Sequence, residues 1–158
     1  MTVKEFLDYL SQELNRSPRT VISYAEDLYA FEAYFLDKDE GLTWETIDTD
    51  IIRDWMESMV DKGNSPSSVA RRLSAVKGFF KFALAREFIS SDPAHAIRSP
   101  KRSRPLPQFL KENEINDLLD KQAWGDDFKG LRDRLIIMMF YETGVRLAEL
   151  VGMDDEAV

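Results

Sequence analysis

Ser65–Phe88 reads SPSSVARRLSAVKGFFKFALAREF, and the spacing of its apolar residues decides the fold class. Ser-Pro is a helix start, because a serine hydroxyl can cap the first free N–H groups and proline's fixed φ suits the first helical position. From there Val69, Leu73, Val76, Phe80 and Leu84 recur at intervals of three and four, the period of a helix with one face in a core. Working outward, Ser17-Pro18 repeats the device and is followed by Val21, Tyr24, Leu28, Phe31 and Phe35. Thr2 and Glu5 have capping-box spacing, with Val3, Phe6, Leu7, Leu10 and Leu14 behind them. A further helix carries Ile51, Ile52, Trp55, Met56 and Met59 and ends before Gly63, where a residue with positive φ belongs. No stretch sustains the alternation of a strand. The expected architecture is all-α, with a four-helix bundle over residues 1–90.

Beyond the bundle, Arg98–Pro107 (RSPKRSRPLP) holds three prolines and four basic residues without apolar period, which predicts a basic linker over 91–107. A second unit, 108–158, opens with QFLKENEINDLLD, where Leu110, Ile115, Leu118 and Leu119 mark a short helix. FKGLRDRLIIMMFYETG follows. Its middle, Leu135 to Tyr141, is apolar all round, as in helices that lie inside a core. Gly144 breaks this helix and VRLAELVGM restarts the pattern. About fifty residues with two or three helices bury too little surface to fold well alone, so the unit is expected to be the first part of something larger.

The composition is globular, with 44% apolar and 32% charged residues in 158. There is no cysteine and one histidine, His95, so no disulfide, thiolate metal site or zinc site is expected. The acidic, amphipathic start is unlike a secretory signal, and no apolar run approaches 18 residues, so a soluble cytoplasmic protein without membrane partners is expected. The net charge of −8 is unevenly spread. Residues 1–61 carry 5 Lys/Arg against 15 Asp/Glu, 62–104 carry 10 against 2, and 105–158 carry 6 against 12. A basic middle between acidic flanks is a local electrostatic footprint for a polyanion.

Much of that charge lies on the fourth helix, which bears Ser67, Ser68, Arg71, Arg72, Lys77, Lys81 and Arg86. With the apolar stripe inward, Arg71, Ser74, Gly78 and Lys81 fall on the opposite side. Small residues beside cations let a backbone approach phosphates, and arginine can fork to a guanine. Arg19, Thr20 and Tyr24 in the first turns of the second helix, and Arg102 and Arg104 in the linker, extend this surface toward double-stranded DNA. A competing reading is a helical adaptor, whose acidic first helices would face a protein and which would show no salt-sensitive DNA binding.

Four segments taken in order resemble the tyrosine recombinases of the Xer and phage-integrase type: SPRTVISYAEDL, SPSSVARRLSAVKGFFKFALAREFISSDPA, RSPKRSRPLPQFL and LRDRLIIMMFYETGVRLAELVGM. The resemblance implies a SAM-like core-binding bundle over 1–90, a linker, and the first helices of a catalytic domain over 108–158. It also implies cleavage and rejoining of DNA through a 3′-phosphotyrosyl intermediate, with no cofactor, by protomers assembled as a tetrameric synapse. TGVRLAEL is similar to the family's first catalytic box. Arg146 is then a catalytic arginine that would stabilise charge on the phosphorane-like transition state, and Glu149 an acid with an orienting or structural role. The lysine, the His-x-x-Arg pair and the tyrosine nucleophile that the family uses lie beyond Val158. None of Tyr9, Tyr24, Tyr29, Tyr34 or Tyr141 fits the nucleophile. The chain is therefore expected to be the DNA-binding N-terminal part of a recombinase, inactive alone, with a truncated architectural DNA binder as the alternative. Its compactness resembles the Xer branch, which implies chromosome partition and cell division rather than mobile-element integration. Helix 131–142, stripped of cover, is expected to pack against the core-binding bundle or against a second chain, which would make the chain a dimer.

Overall fold

The computed structural model describes residues 1–101, Leu106, 108–121 and 124–153. The chain divides into two compact units, Met1–Arg104 and Pro105–Val158.

The first unit contains α1 (Val3–Asp8), α2 (Pro18–Lys38), α3 (Thr49–Asp61) and α4 (Pro66–Ala85). Each begins on the cap its sequence supplies. Thr2 Oγ1 accepts the Glu5 N–H at 3.3 Å while Glu5 accepts the Thr2 N–H at 2.7 Å. Ser17 and Ser65 each accept an N–H three residues on, at 3.2 Å, and Asp48 Oδ1 accepts from Asp50 and Ile51 at 2.9 Å. Such a cap is worth about 1 kcal/mol.

Helix α4 is the axis of the bundle and packs on α1, α2 and α3. Val69, Leu73, Val76 and Phe80 are fully buried, as their spacing predicts. Leu84 is not: it stays exposed, while Ala75, Phe79, Phe82 and Ala83 go inside. The reason is geometric. Neighbours on three sides cover far more of α4 than one stripe, and the cover ends near its C-terminal turn. Phe79 reaches both aromatic groups of the core, meeting Phe6 at 5.6 Å edge-on and Trp44 at 4.3 Å between ring centres. Trp44 comes from the loop between α2 and α3, and its indole N–H donates to Glu32 at 2.6 Å.

Two departures from the expected elements occur in this unit. The first helix widens after Asp8 into a π-helical turn, Tyr9–Glu13, which shifts the apolar register and leaves Leu14 exposed. The segment after α4 also stays with the bundle beyond residue 90. Ala94 and Ile97 are buried, and Thr49 donates to the Pro93 carbonyl at 2.8 Å.

The second unit contains α5 (Glu112–Lys121), α6 (Phe128–Thr143) and α7 (Leu147–Val151). Asp127 caps α6 by accepting the Gly130 N–H at 2.9 Å. Gly144 ends α6 with φ of 65°, a conformation that glycine adopts without the penalty of a side chain. No residue of α6 is buried, so the core position expected of its apolar middle is not met within these residues. Leu131, Leu135, Met138 and Tyr141 are all exposed. Among the described residues, no helix is long and apolar enough to cross a membrane.

Candidate nucleic-acid interface

Helices α2 and α4 lie against each other, and the sequence places its candidate residues along their shared seam. Asp27 is at its centre. It is the buried acid of the bundle core, 3% exposed, and it faces two arginines of α4. Arg71 forks onto it: Nη2 donates to Oδ1 at 2.9 Å and Nη1 donates to Oδ2. The same Nη1 donates to Ser23 Oγ at 2.7 Å. Arg72 approaches from the other side, its Nε 3.8 Å from Asp27 Oδ1 and its Nη1 against the Met59 sulfur at 3.6 Å. Burial pushes the Asp27 carboxyl above its ordinary value, and the hydrogen bond and charge of Arg71, then the charge of Arg72, pull it back.

The candidates along the seam and in the groove beside it separate into those that face solvent and those spent on the fold. Arg19 and Lys81 are exposed, and their side chains have no partner among the described residues. Thr20, Tyr24 and Lys81 line a groove together with Arg16 and Arg86, over a floor that includes Phe6 and Phe82. Arg71 keeps half of its side chain in solvent. Ser67 is exposed at the start of α4, and Ser68 sits beside it with its hydroxyl 3.0 Å from Ser65 Oγ.

Other sequence candidates turn away from that surface. Arg72 points into the bundle, where its Nε is buried without a hydrogen-bond partner. Lys77 Nζ donates to the Ile97 carbonyl at 2.5 Å and so ties the post-α4 segment to the helix. Gly78, read as a backbone approach for DNA, instead admits Phe6 and Tyr24, which lie 3.4 and 3.5 Å from where its Cβ would be. Arg102 and Arg104 lie outside the described residues. His95 is exposed, and the described residues hold no cluster of metal-ligating side chains.

Sequence reasoning missed Asp27, Ser23 and Arg16. The signal for Asp27 was available: an acid one residue before Leu28 falls on the apolar stripe of α2, and a charge there needs a partner. Arg86 follows the last residue of α4 as its C-cap. It bonds Glu13 at 2.5 Å and lies over the Tyr9 and Phe82 rings at 5.8 and 5.7 Å.

In the second unit Arg146 precedes α7, just after the Gly144 turn, with 83% of its side chain exposed. Its backbone N–H and its Nη1 both donate to Glu149, each at 2.9 Å. Those two bonds, the backbone one first, hold the exposed Glu149 carboxyl below its ordinary range.

These observations define a class: an all-α bundle whose second and fourth helices share a seam that carries cations. More particularly, the chain belongs to the phage integrase family, whose N-terminal SAM-like domain matches residues 3–87. Its relatives are tyrosine recombinases. A tyrosine recombinase XerC of Natranaerobius thermophilus is 39% identical over 150 residues, 95% of this chain and 50% of the relative. A XerC of Mycobacterium tuberculosis is 33% identical over 95% of the chain and 51% of the relative, and a XerD of Oceanobacillus iheyensis is 28% identical over 96% and 50%. The chain thus spans about half the length of the curated relatives it matches. A lambda integrase dimer bound to a COC′ core site shares the fold, with a TM-score of 0.65 at 21% identity, over 100% of this chain and 43% of that one.

Proposed function

We propose that this chain is the DNA-binding N-terminal part of a tyrosine site-specific recombinase that cuts and rejoins DNA through a 3′-phosphotyrosyl intermediate. In this reading residues 1–90 are the core-binding domain, and 108–158 begin the catalytic domain. The observation that carries it is the α2–α4 seam. There Arg19 and Lys81 stand in solvent without carboxylate partners among the described residues, in a bundle whose family match covers the same helices. In a chain with 29 acidic residues, cations left unpaired on one seam are poised for an external anion. Double-stranded DNA is the polyanion that fits, in keeping with the relatives being recombinases.

Arg146 is assigned to the scissile phosphate. An ionised planar fork next to a glycine turn suits a transition state whose charge sits on equatorial oxygens. Glu149, bonded to Arg146 through two atoms, would set the direction in which the guanidinium leaves the helix start. In this reading the chain serves chromosome partition rather than mobile-element integration, in the cytoplasm, with recombinase protomers as partners in a tetramer; its likeness to relatives of both XerC and XerD type supports the Xer branch. The exposed apolar row of α6 is assigned to self-association of this chain.

The reading is tested by binding a duplex at several salt concentrations. Log affinity should fall linearly with log salt. Replacing Arg19 and Lys81 together by Ala should flatten the slope by about 2, close to 0.9 for each phosphate no longer neutralised. A salt-independent affinity, or an unchanged slope in the double variant, removes the DNA reading of this seam.

A further inference from the structure

The pairing of Arg71 leaves something more specific than a neutralised charge. A guanidinium has five N–H donors in one plane. Three are spent here: one Nη1 hydrogen and one Nη2 hydrogen on Asp27, and the second Nη1 hydrogen on Ser23. The remaining two are Nε–H and the outer Nη2–H. They are parallel, they lie on the same edge of the group, and no protein acceptor takes them among the described residues. Half of the side chain is in solvent, and these are the two donors that the described residues leave unclaimed.

We infer that Asp27 and Ser23 hold Arg71 as a pre-set two-pronged donor, aimed out of the α2–α4 seam at a planar pair of acceptors on DNA. The inference rests on the DNA reading above and adds a division of labour within it. Asp27 is a positioning residue, Arg71 the reader, and Arg72 an internal counter-charge with its Nε buried at the hub. A free arginine side chain gives up rotamer freedom to make a fork, whereas one fixed by a buried carboxylate has given it up on folding. Two DNA groups present acceptors at the right separation, a pair of phosphate oxygens or the O6 and N7 of guanine. Lysine, a point charge on a flexible stem, cannot replace the fork.

The test uses the whole chain with a randomised duplex library, sequencing the bound fraction, and a fixed duplex for salt dependence. Wild type is compared with Arg71→Lys, Arg71→Gln, Asp27→Asn and the double variant Asp27→Asn/Arg71→Lys. If the fork reads guanine, Arg71→Lys keeps the salt slope but loses a G preference at one position, on the order of tenfold in discrimination. If it holds a phosphate, sequence preference stays, Arg71→Lys weakens binding about equally on every sequence, and Arg71→Gln flattens the slope by about 0.9. Either result supports the fork.

The Asp27 arm separates positioning from mere charge. Asp27→Asn makes the seam more positive, so a purely electrostatic site binds all duplexes more tightly, with preference unaltered. Acting through Arg71, Asp27→Asn instead costs discrimination or uniform affinity as Arg71→Lys does, and costs nothing further when Arg71→Lys is already present. Equal costs with and without Arg71→Lys overturn the inference. So does an Arg71→Lys chain indistinguishable from wild type, even when the Arg19/Lys81 variant has flattened the salt slope and upheld DNA binding. Loss of salt-dependent binding by wild type overturns both readings together. Should Asp27→Asn unfold, Arg71→Lys and Ser23→Ala decide the matter in its place, since Ser23→Ala removes one of the three bonds that hold the guanidinium and should reproduce part of the loss.

Discussion

Asp27 brings a carboxylate into the first unit's core, 3% exposed, where the same volume of leucine would bury more apolar surface. Such a charge persists when its desolvation is offset by partners, and here the fork from Arg71 and the nearby Arg72 do so. The offset is incomplete, because burial still holds the carboxyl above its ordinary value of 3.8. The sign of the pH dependence follows. A native acid that keeps its proton more tightly than the unfolded chain stabilises the fold most fully below 3.8 and loses that contribution as pH rises through the raised value. Urea melts of wild type and Asp27→Asn, run from below pH 3.8 up to neutral, should therefore show wild type's advantage greatest at the acid end and narrowing upward. An advantage that widens with pH instead means the arginines outweigh burial. The same residue explains what could be read at this scale. Residue type and helix face placed Arg19, Thr20, Tyr24 and Lys81 where an external anion can reach them. They could not separate Arg71 from Arg72, adjacent in sequence, because that depended on where α2 put its one buried acid. Nor could they tell that Lys77 would be taken by a carbonyl 20 residues on.

Helix starts were the most legible elements, since a cap is a local hydrogen bond and needs no tertiary information. Ser17, Ser65 and Thr2 all cap as their spacing predicts. The π-helical turn at Tyr9–Glu13 was not legible: the apolar period to Leu14 fits an unbroken helix, and only packing of the first helix selects the widened turn. Helix α6 offers a sharper test of how one residue governs an element. A Cβ placed on Gly130 would lie 2.0 Å from the Gly125 carbonyl oxygen and 2.6 Å from its nitrogen, both backbone atoms. Exposed glycine-to-alanine changes inside helices ordinarily stabilise by about 1 kcal/mol. Gly130→Ala should do the reverse, because the Gly125 loop must move for the first turn of α6 to survive. Amide exchange resolved by residue should quicken through α6 while the α1–α4 bundle is untouched. Slower exchange in α6 would mean that the close approach of these two glycines is dispensable.

At the scale of the whole molecule the two units differ in kind. The first encloses its own aromatic core. The second buries Ile115 and leaves α6 without a buried residue. Sequence pattern had identified α6 as a helix meant for cover, because its apolar middle has no polar side. It could not say what provides the cover, which is a property of neighbours and not of the helix. Leu131, Leu135, Met138 and Tyr141 are exposed at spacings of four, three and three, which aligns them as one row along the helix. A row of that kind on a chain in water is stabilised by pairing with an identical row, at about 25 cal/mol for each Å² of apolar surface removed. Sedimentation of the 158-residue chain should then show concentration-dependent dimers. Leu135→Glu, at the middle of the row, should shift the equilibrium to monomer, because each copy would bring a carboxylate into the pairing surface. The bundle's melting temperature should not change, since the substitution touches none of its core. A wild-type chain that stays monomeric across concentrations, with residues 135–140 exchanging their amide hydrogens rapidly, refutes self-association through α6. Leu135→Glu would then change only the solubility of the chain.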